Sequence, residues 1–527
     1  MSNFIKVEGV VLSHVELPES FVIYKNKSLA ELDFSEPEFE RYGGRSISNH
    51  GGGARAANYG DYQVKGVGLT PLAGEMEGSN YNHGTVPLSE ALVEAVYSEV
   101  LKNVLPVGVA DFHGVICTGA KTAFEFDETR EGQLEKTHGA LFIREKSVRP
   151  AHYLRATTFK VKPEYAQVLE SDLQRIRHVI KSLADDCGSA EGFLEIVAGF
   201  LQGCAEQFGF ARVAGITHGA MTPSNILMDG RWIDLVTPTF VDRGRNYRVA
   251  NLTFYQEPSI ALEVSQELCD TYAKFNHVTF DTSILHDYYT SSLDMSVDYH
   301  LPYILGLDRE AIESVELSDE AYELLFKFKK ALNKESRVYF TGSLGNESSH
   351  TFKTPLASII RTALQNESST ECALYKSAYA QFAHNKCVTF KGFVLICFIK
   401  AMKRDLLTAL YFRTHVENNV ACVLEDVAAE PVQNLIDAYN QSAMWVFDDE
   451  FGTKEVIYQS ACASFCIIFD GVSLKVRTVG EGKYGSDHLL DGAGITCPFF
   501  NAHRDIFLRY FNVVNTLSEG VLYEQHT

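Results

Sequence analysis

The stretch Ile216-Thr217-His218-Gly219-Ala220-Met221-Thr222-Pro223-Ser224-Asn225-Ile226-Leu227-Met228-Asp229-Gly230-Arg231-Trp232-Ile233-Asp234-Leu235-Val236 decides how the chain is read. His218-Gly219 stands ahead of Asn225-Ile226-Leu227, a Gly-centred turn follows at Asp229-Gly230, and a short apolar run then carries Asp234. An amide and a carboxylate on two consecutive segments joined by a tight turn form the usual clamp for Mg²⁺ bound to nucleoside triphosphate phosphates. The stretch therefore reads as the metal end of a nucleotide site.

Working outward, 527 residues suffice for two or three domains, and 46% hydrophobic with 22% charged residues is ordinary for a globular protein. A net charge of -21 argues against nucleic acid as a partner, because phosphate backbones require a clustered positive field. No basic start followed by a long apolar run marks the N-terminus, and the longest apolar stretch, near Gly392 to Met402, is too short to span a bilayer. A cytoplasmic protein without a membrane partner is the expectation. The 11 cysteines form no Cys-x-x-Cys pair and read as buried, reduced thiols.

Ahead of the opening stretch, Val7 to Val11 reads as a strand, and an irregular acidic segment follows. Tyr42-Gly43-Gly44-Arg45, His50-Gly51-Gly52-Gly53-Ala54-Arg55 and Tyr59-Gly60 then form a glycine-rich run. Gly52 and Gly53 would let backbone N–H groups approach an anion, with Arg55 supplying charge. Taken alone, the run reads equally well as a plain loop. Tyr62 to Val67 alternates as a strand with Lys65 among apolar neighbours, either a snorkelling surface lysine or a phosphate ligand. After a loop with Glu77-Gly78, Pro87 opens a helix whose Leu88, Leu92, Ala95, Val96 and Val100 share one face. Its Glu90 and Glu94 lie one turn apart, so either could reach Lys65.

Val107 to Cys117 and Gly139 to Arg144 alternate as half-buried antiparallel strands. Arg144, Arg149 and Arg155 follow closely enough to bind phosphate or carboxylate, or to form a solvated patch. Helices are expected over Glu164 to Ala184, Ala190 to Phe208, Pro258 to Phe275, 318 to 334 and much of 355 to 410. Ala463 to Asp470 and Val472 to Val479 flank Asp470-Gly471, a hairpin signal. Strands first and helices later suggest a two-lobed α+β domain with the ligand in the cleft.

In this order the pieces resemble the selenoprotein-O (SelO, YdiU-like) pseudokinases, over about residues 20 to 280. The likeness rests on four blocks: Lys65-Gly66-Val67-Gly68-Leu69-Thr70-Pro71, Gly139-Ala140-Leu141-Phe142-Ile143-Arg144, His218 to Asn225, and Phe254-Tyr255-Gln256-Glu257-Pro258. The resemblance implies a protein-kinase-like fold binding ATP with Mg²⁺ or Mn²⁺ in a flipped pose, so that AMP is transferred to a protein. It implies Lys65 as the phosphate lysine and Glu90 as its helix partner, with Glu94 the alternative. Gly52, Gly53, Arg55, Glu77 and Gly78 match its nucleotide loops, Arg144 and Arg155 its paired arginines, and Asn225 and Asp234 its metal ligands.

One position departs from the family: Ser224 stands where its relatives place the aspartate proposed as general base. A hydroxyl acceptor gains roughly 10²–10⁴-fold from such a base. A carboxylate, with an α-carboxyl pKa of about 3.5, is already ionised and needs none. The catalytic set Lys65, Glu90 and Ser224 therefore implies either a carboxylate acceptor or an inactive enzyme. A second resemblance, to the MchC/MceJ-type siderophore-microcin maturation proteins, implies activation of a peptide C-terminus. The peptide would then be joined to a glucosylated catecholate siderophore with an acyltransferase-like partner. Protein O-AMPylation and a silent assembly subunit remain alternatives.

The expected domains are an N-terminal segment (1–40), a lobe with nucleotide loops (41–160), a lobe with the metal loop (161–290) and a mainly helical extension (291–527). The last would carry the late hairpin, which reads either as completion of the core or as part of a docking surface.

Overall fold

The computed structural model describes residues 3–15, 17–26, 33–44, 50–75, 83–126, 134–241, 246–307, 318–332, 338–340, 362–363, 366–380, 389–425, 427–446, 455–459, 465–469, 474–478, 487–488 and 508. The architecture is mixed α+β. Strands β1 (Phe4–Ile5), β2 (Phe21–Lys25), β3 (Phe39–Glu40), β4 (Ala56–Tyr59) and β5 (Tyr62–Lys65) precede helix α1 (Leu88–Val104). After it come β6 (Phe112–Cys117), β7 (Ala123–Phe126), β8 (Leu134–Thr137) and β9 (Ala140–Glu145). The central sheet is antiparallel in the order β2-β6-β9-β5-β4.

Its register places the chemistry. Gln63 lies opposite Arg144 and Lys65 opposite Phe142, and alternation sends these four side chains to one face. Val64, Leu141 and Ile143 point the other way into a small apolar core with Phe39 and Val67. The polar face lies under α1, whose Leu88, Leu92 and Val96 pack with Phe112, Val115 and Phe142. The helix face read from the sequence is thus the one that meets the sheet, and Glu90 and Glu94 are carried over its polar strip.

A helical body follows, with α2 (Asp172–Cys187), α3 (Ala190–Ala214), β10 (Ile216–Thr217), β11 (Thr239–Phe240), β12 (Asn246–Arg248), α4 (Ser259–Asn276) and α5 (Ser283–Ile304). Ser171 and Ser189 cap α2 and α3 by accepting N–H bonds from Gln174 and Gly192. The first cap explains why α2 starts at Asp172 rather than Glu164, the earlier residues forming a short 3₁₀ turn at Pro163–Tyr165. α3 runs beyond the expected end at Phe208 because Gly209 lets it press against Ser296 of α5; a Cβ there would sit 2.2 Å from Ser296 Oγ. It stops at Gly215, whose φ of 73° breaks the helix and turns the chain into β10. Val7 to Val11 is not a strand; the N-terminal pairing is Phe4–Ile5 with Phe39–Glu40.

Beyond residue 304 lie α6 (Asp319–Leu332), β13 (Val338–Phe340), α7 (Thr370–Ala378), α8 (Phe390–Leu410), α9 (Arg413–Val423) and α10 (Ala429–Val446). Four strands complete it: β14 (Glu455–Gln459), β15 (Phe465–Phe469), β16 (Leu474–Thr478) and β17 (Asp487–His488), one antiparallel sheet. The late hairpin is its central pair, with Phe469 opposite Leu474; Asp470-Gly471 lies outside the described residues. α5 runs unbroken through residue 290, where a boundary is expected. β13 pairs in parallel with β12, and α9 and α10 pack against α1, so the later chain folds back onto the earlier. Among the described residues no helix is long and apolar enough to cross a membrane. Cys117, Cys204, Cys269, Cys372 and Cys397 are buried free thiols.

Candidate active site

The stretch from 216 to 240 is a closed loop. β10 and β11 pair at its mouth, Ile216 opposite Phe240. Inside, Trp232 bridges Ile226 on one side and Val109 on the other. The Asp229-Gly230 turn forms as the sequence predicts, with Leu227 N–H on the Arg231 carbonyl at 2.8 Å. Gly230 has φ of 91°, and a Cβ on it would meet the α3 backbone at Gly203, 2.5 Å away. The turn is therefore seated directly on α3.

Two buried side chains brace the loop. His218 donates Nε2–H to the Ile233 carbonyl at 3.0 Å while Nδ1 accepts from Ala220 N–H at 3.4 Å, the pattern of a neutral imidazole. Burial lowers its pKa to about 4. Glu257, just before α4, accepts from Thr217 Oγ1, His218 N and Gly219 N at 2.7, 3.0 and 2.6 Å. Burial pushes its carboxyl up to about 7 against the pull of these donors.

The loop delivers Asn225 and Asp234 to a cleft of about 1060 Å³ between the sheet and the helical body. Ile233 N–H binds the Asn225 carbonyl at 3.1 Å, so the two segments lie side by side. Asn225 commits its amide nitrogen to the Ala220 carbonyl at 2.8 Å, which turns its oxygen toward Ser224 Oγ, 3.2 Å away. Asp234 has φ of 69°, a left-handed backbone rare outside glycine and worth roughly 1–3 kcal/mol of strain. An amide oxygen and a partly exposed carboxylate lining one cleft are donors of the kind Mg²⁺ takes, one or two from the protein and the rest from phosphate and water. Among the described residues no group of three His, Cys, Asp or Glu side chains is placed to hold a metal alone.

Around Asn225 and Asp234 the same cleft gathers cations, interleaved with the carboxylates of Glu90, Glu263 and Glu267. Arg55, Lys65, Arg144, Arg149 and Arg155 all line the cleft of a chain whose net charge is -21. Lys65 is buried and lies 2.8 Å from Glu94, 2.6 Å from Asp234 and 3.5 Å from Glu90. Burial works against its ammonium, but Asp234 and Glu94 more than offset this and raise its pKa. Glu94 also binds Arg144 at 2.9 Å. The nearer helix partner of Lys65 is thus Glu94 rather than Glu90, whose shortest contact is Arg55 at 2.8 Å. One turn farther along α1, Glu94 reaches both Lys65 and Arg144, whereas Glu90 lines the cleft beside Arg55.

Two further expectations need correction. Arg144 is paired through Gln63, whose Oε1 accepts from Arg144 Nε at 2.8 Å and from Arg149 at 3.0 Å. The partner arginine is therefore Arg149, which also donates to the Ser224 carbonyl at 2.9 Å. Arg155 is farther out, its Nε fixed to Asp172 at 2.6 Å and its side chain 37% exposed. The spacing of three arginines around Pro150 was the available signal, and it does not say which one turns inward. Glu40, buried between Arg149 and His152, had no signal in its sequence surroundings.

The glycine-rich run lines the cleft at Gly52 and Gly53, yet its N–H groups serve the protein. Gly51 donates to Leu72 O, Gly53 to Glu40 O and Ala54 to Gly52 O, at 2.9, 2.8 and 2.8 Å. A backbone anion cradle is thus not formed there, because these amides tie the loop to β3 and the following turn. Gly52 itself is required: at φ of 144° a Cβ would lie 2.0 Å from Glu40 O. Glu77 and Gly78 lie outside the described residues. Ser224 is fully buried, its hydroxyl 3.0 Å from Thr222 Oγ1 and on Asn225; it stands behind the cleft wall, while Thr222 lines it.

Such an arrangement can bind a polyanion by its cations and hold a divalent cation against it through Asn225 and Asp234. Comparison of the chain with protein-family models finds no match, and comparison with curated proteins finds none either.

Proposed function

We propose that the protein is an ATP- and Mg²⁺-dependent adenylyltransferase acting on a peptide or protein carboxylate, built on a two-lobed, protein-kinase-like scaffold. One observation carries the reading: Arg55, Lys65, Arg144, Arg149 and Arg155 line one cleft together with Asn225 and Asp234, and position 224 holds a serine rather than a carboxylate. Lys65, Arg144 and Arg149 bind and orient the phosphates. Glu94 holds Lys65 and Arg144 at fixed separation, so little reorganisation is needed when charge develops on the α-phosphate. When bound, Mg²⁺ would sit on Asn225 and Asp234 and neutralise phosphate charge.

In the reaction a carboxylate oxygen attacks the α-phosphorus, the bond to the bridging oxygen of the β-phosphate breaks, and pyrophosphate leaves with that electron pair. No proton has to be removed from the acceptor, which suits Ser224. The narrower form of the proposal, drawn from the resemblance, is activation of a microcin precursor's C-terminus for attachment of a glucosylated siderophore.

The test uses ATP labelled on the α-phosphate, with Mg²⁺ and candidate peptides. Hydroxylamine-labile label on the peptide is expected, and its loss in Asn225→Ala and Asp234→Ala. Label stable on Ser, Thr or Tyr would replace this reading with hydroxyl AMPylation. ATP binding without any label would leave a silent subunit.

A further inference from the structure

α1 is buried on nearly every side, although only one face carries Glu90 and Glu94. Its other faces are covered by α9 and α10. The contact at the centre of that interface is polar. Tyr97, one turn beyond Glu94, is fully buried and donates its hydroxyl to the Tyr411 carbonyl at 2.8 Å, a partner 314 positions away. Two residues beyond Tyr411, the chain also meets β11, where Thr239 Oγ1 accepts the Arg413 N–H at 2.9 Å.

Three elements therefore meet around residues 411–413. α1 brings the carboxylate that binds Lys65, β11 ends the loop that carries Asp234, and residues 411–413 come from the later chain. Tyr411 is itself fixed to α10, its hydroxyl on Ser442 and its ring 5.5 Å from that of Tyr439. Farther along α1, Asn103 binds Asn440 of α10 at 2.7 Å.

We propose that residues 411–425 and 427–446 form a built-in clamp on α1, with Tyr97 as a positioning residue that sets Glu94 over Lys65 and Arg144 and couples it to the Asp234 loop. Helix–helix packing alone would be served by phenylalanine, since a buried hydroxyl without a partner is costly. A single directed hydrogen bond adds what apolar packing lacks: it resists rotation and sliding of the helix. A slip of one turn would carry Glu94 about 5.4 Å along the axis, beyond reach of both cations. The catalytic consequence rests on the adenylyl-transfer reading; the clamp itself does not.

The test compares full-length wild type and Tyr97→Phe by amide hydrogen exchange and by titration with Mg-ATP. Exchange over residues 94–101 should rise roughly tenfold, as expected for one lost buried hydrogen bond, while α3 stays unchanged. Mg-ATP should bind about threefold to tenfold more weakly. Unchanged exchange over 94–101, or an equal rise in α3, overturns the clamp. Wild type that binds no Mg-ATP overturns the nucleotide reading alone, and the exchange comparison then decides the clamp. Should Tyr97→Phe not fold, Asn103→Ala must raise exchange over 98–104; no rise there overturns the proposal.

Discussion

Replacing Glu94 by glutamine keeps the side chain's shape and removes its charge at the point where two buried cations meet. In the wild type one carboxylate oxygen faces Lys65 at 2.8 Å and the other faces Arg144 at 2.9 Å. A glutamine oxygen can keep one of these bonds, but its NH₂ then faces the other cation, donor against donor. Breaking a buried pair costs about 3–5 kcal/mol, because the charge left behind stays desolvated. Asp234 compensates in part, at 2.6 Å from Lys65 and 3.8 Å from Arg144, which places the expected cost near the lower end, about 3 kcal/mol. At roughly 2 °C per kcal/mol for a large domain, the melting temperature should fall by about 6 °C. Glu90→Gln should cost only about 1 kcal/mol, because that carboxylate is partly exposed and Arg55 keeps its bond to the Thr85 carbonyl. Differential scanning calorimetry of both variants, with and without Mg-ATP, measures the difference. A Glu90→Gln loss equal to or larger than that of Glu94→Gln would refute the assignment of Glu94 as the anchoring carboxylate.

His218 sets a pH dependence. Its folded pKa of about 4 lies below the ordinary 6.5, so between these values the unfolded chain binds the extra proton and stability falls as pH falls. The contribution is whole above about pH 6.5 and declines by roughly 3 kcal/mol on reaching pH 4. Urea unfolding of wild type and His218→Asn should therefore converge as pH drops through that window; a constant difference would show that His218 does not titrate there. Gly52→Ala sets a Cβ into Glu40 O in a backbone conformation that alanine avoids. It should lower stability by about 1–3 kcal/mol and weaken Mg-ATP binding, and a fully stable variant would show that the loop does not hold this conformation.

Short-range patterns carry most of what the sequence reveals. Lys65 on an alternating strand, Asn225 and Asp234 on either side of an Asp-Gly turn, and the apolar face of α1 are all local signals, and the fold brings Lys65, Asn225 and Asp234 to one cleft. What fails is choice among near equivalents. Glu90 and Glu94 share a helix face, and only the height of the helix over the sheet separates them. Arg149 and Arg155 flank a proline, and which one turns inward depends on Gln63 and Asp172, residues far away in sequence. The glycine-rich run shows where backbone approaches closely but not what it approaches: protein carbonyls take its amides. The later chain gives least, because the junction of Tyr97 with Tyr411 links residues 314 positions apart, beyond any periodicity.

Trp232 offers a consequence of a spectroscopic kind. The chain has 2 tryptophans, Trp232 and Trp445, and Trp232 is completely enclosed against His218 and Phe208, two residues before Asp234. Its indole N–H is buried without a hydrogen-bond partner among the described residues, so its emission should lie at the blue end and respond to any polar group that enters. With Trp445 replaced by phenylalanine, the protein becomes its own single-fluorophore reporter. Cation or nucleotide arriving at the loop could then be followed on the millisecond scale without attaching a dye.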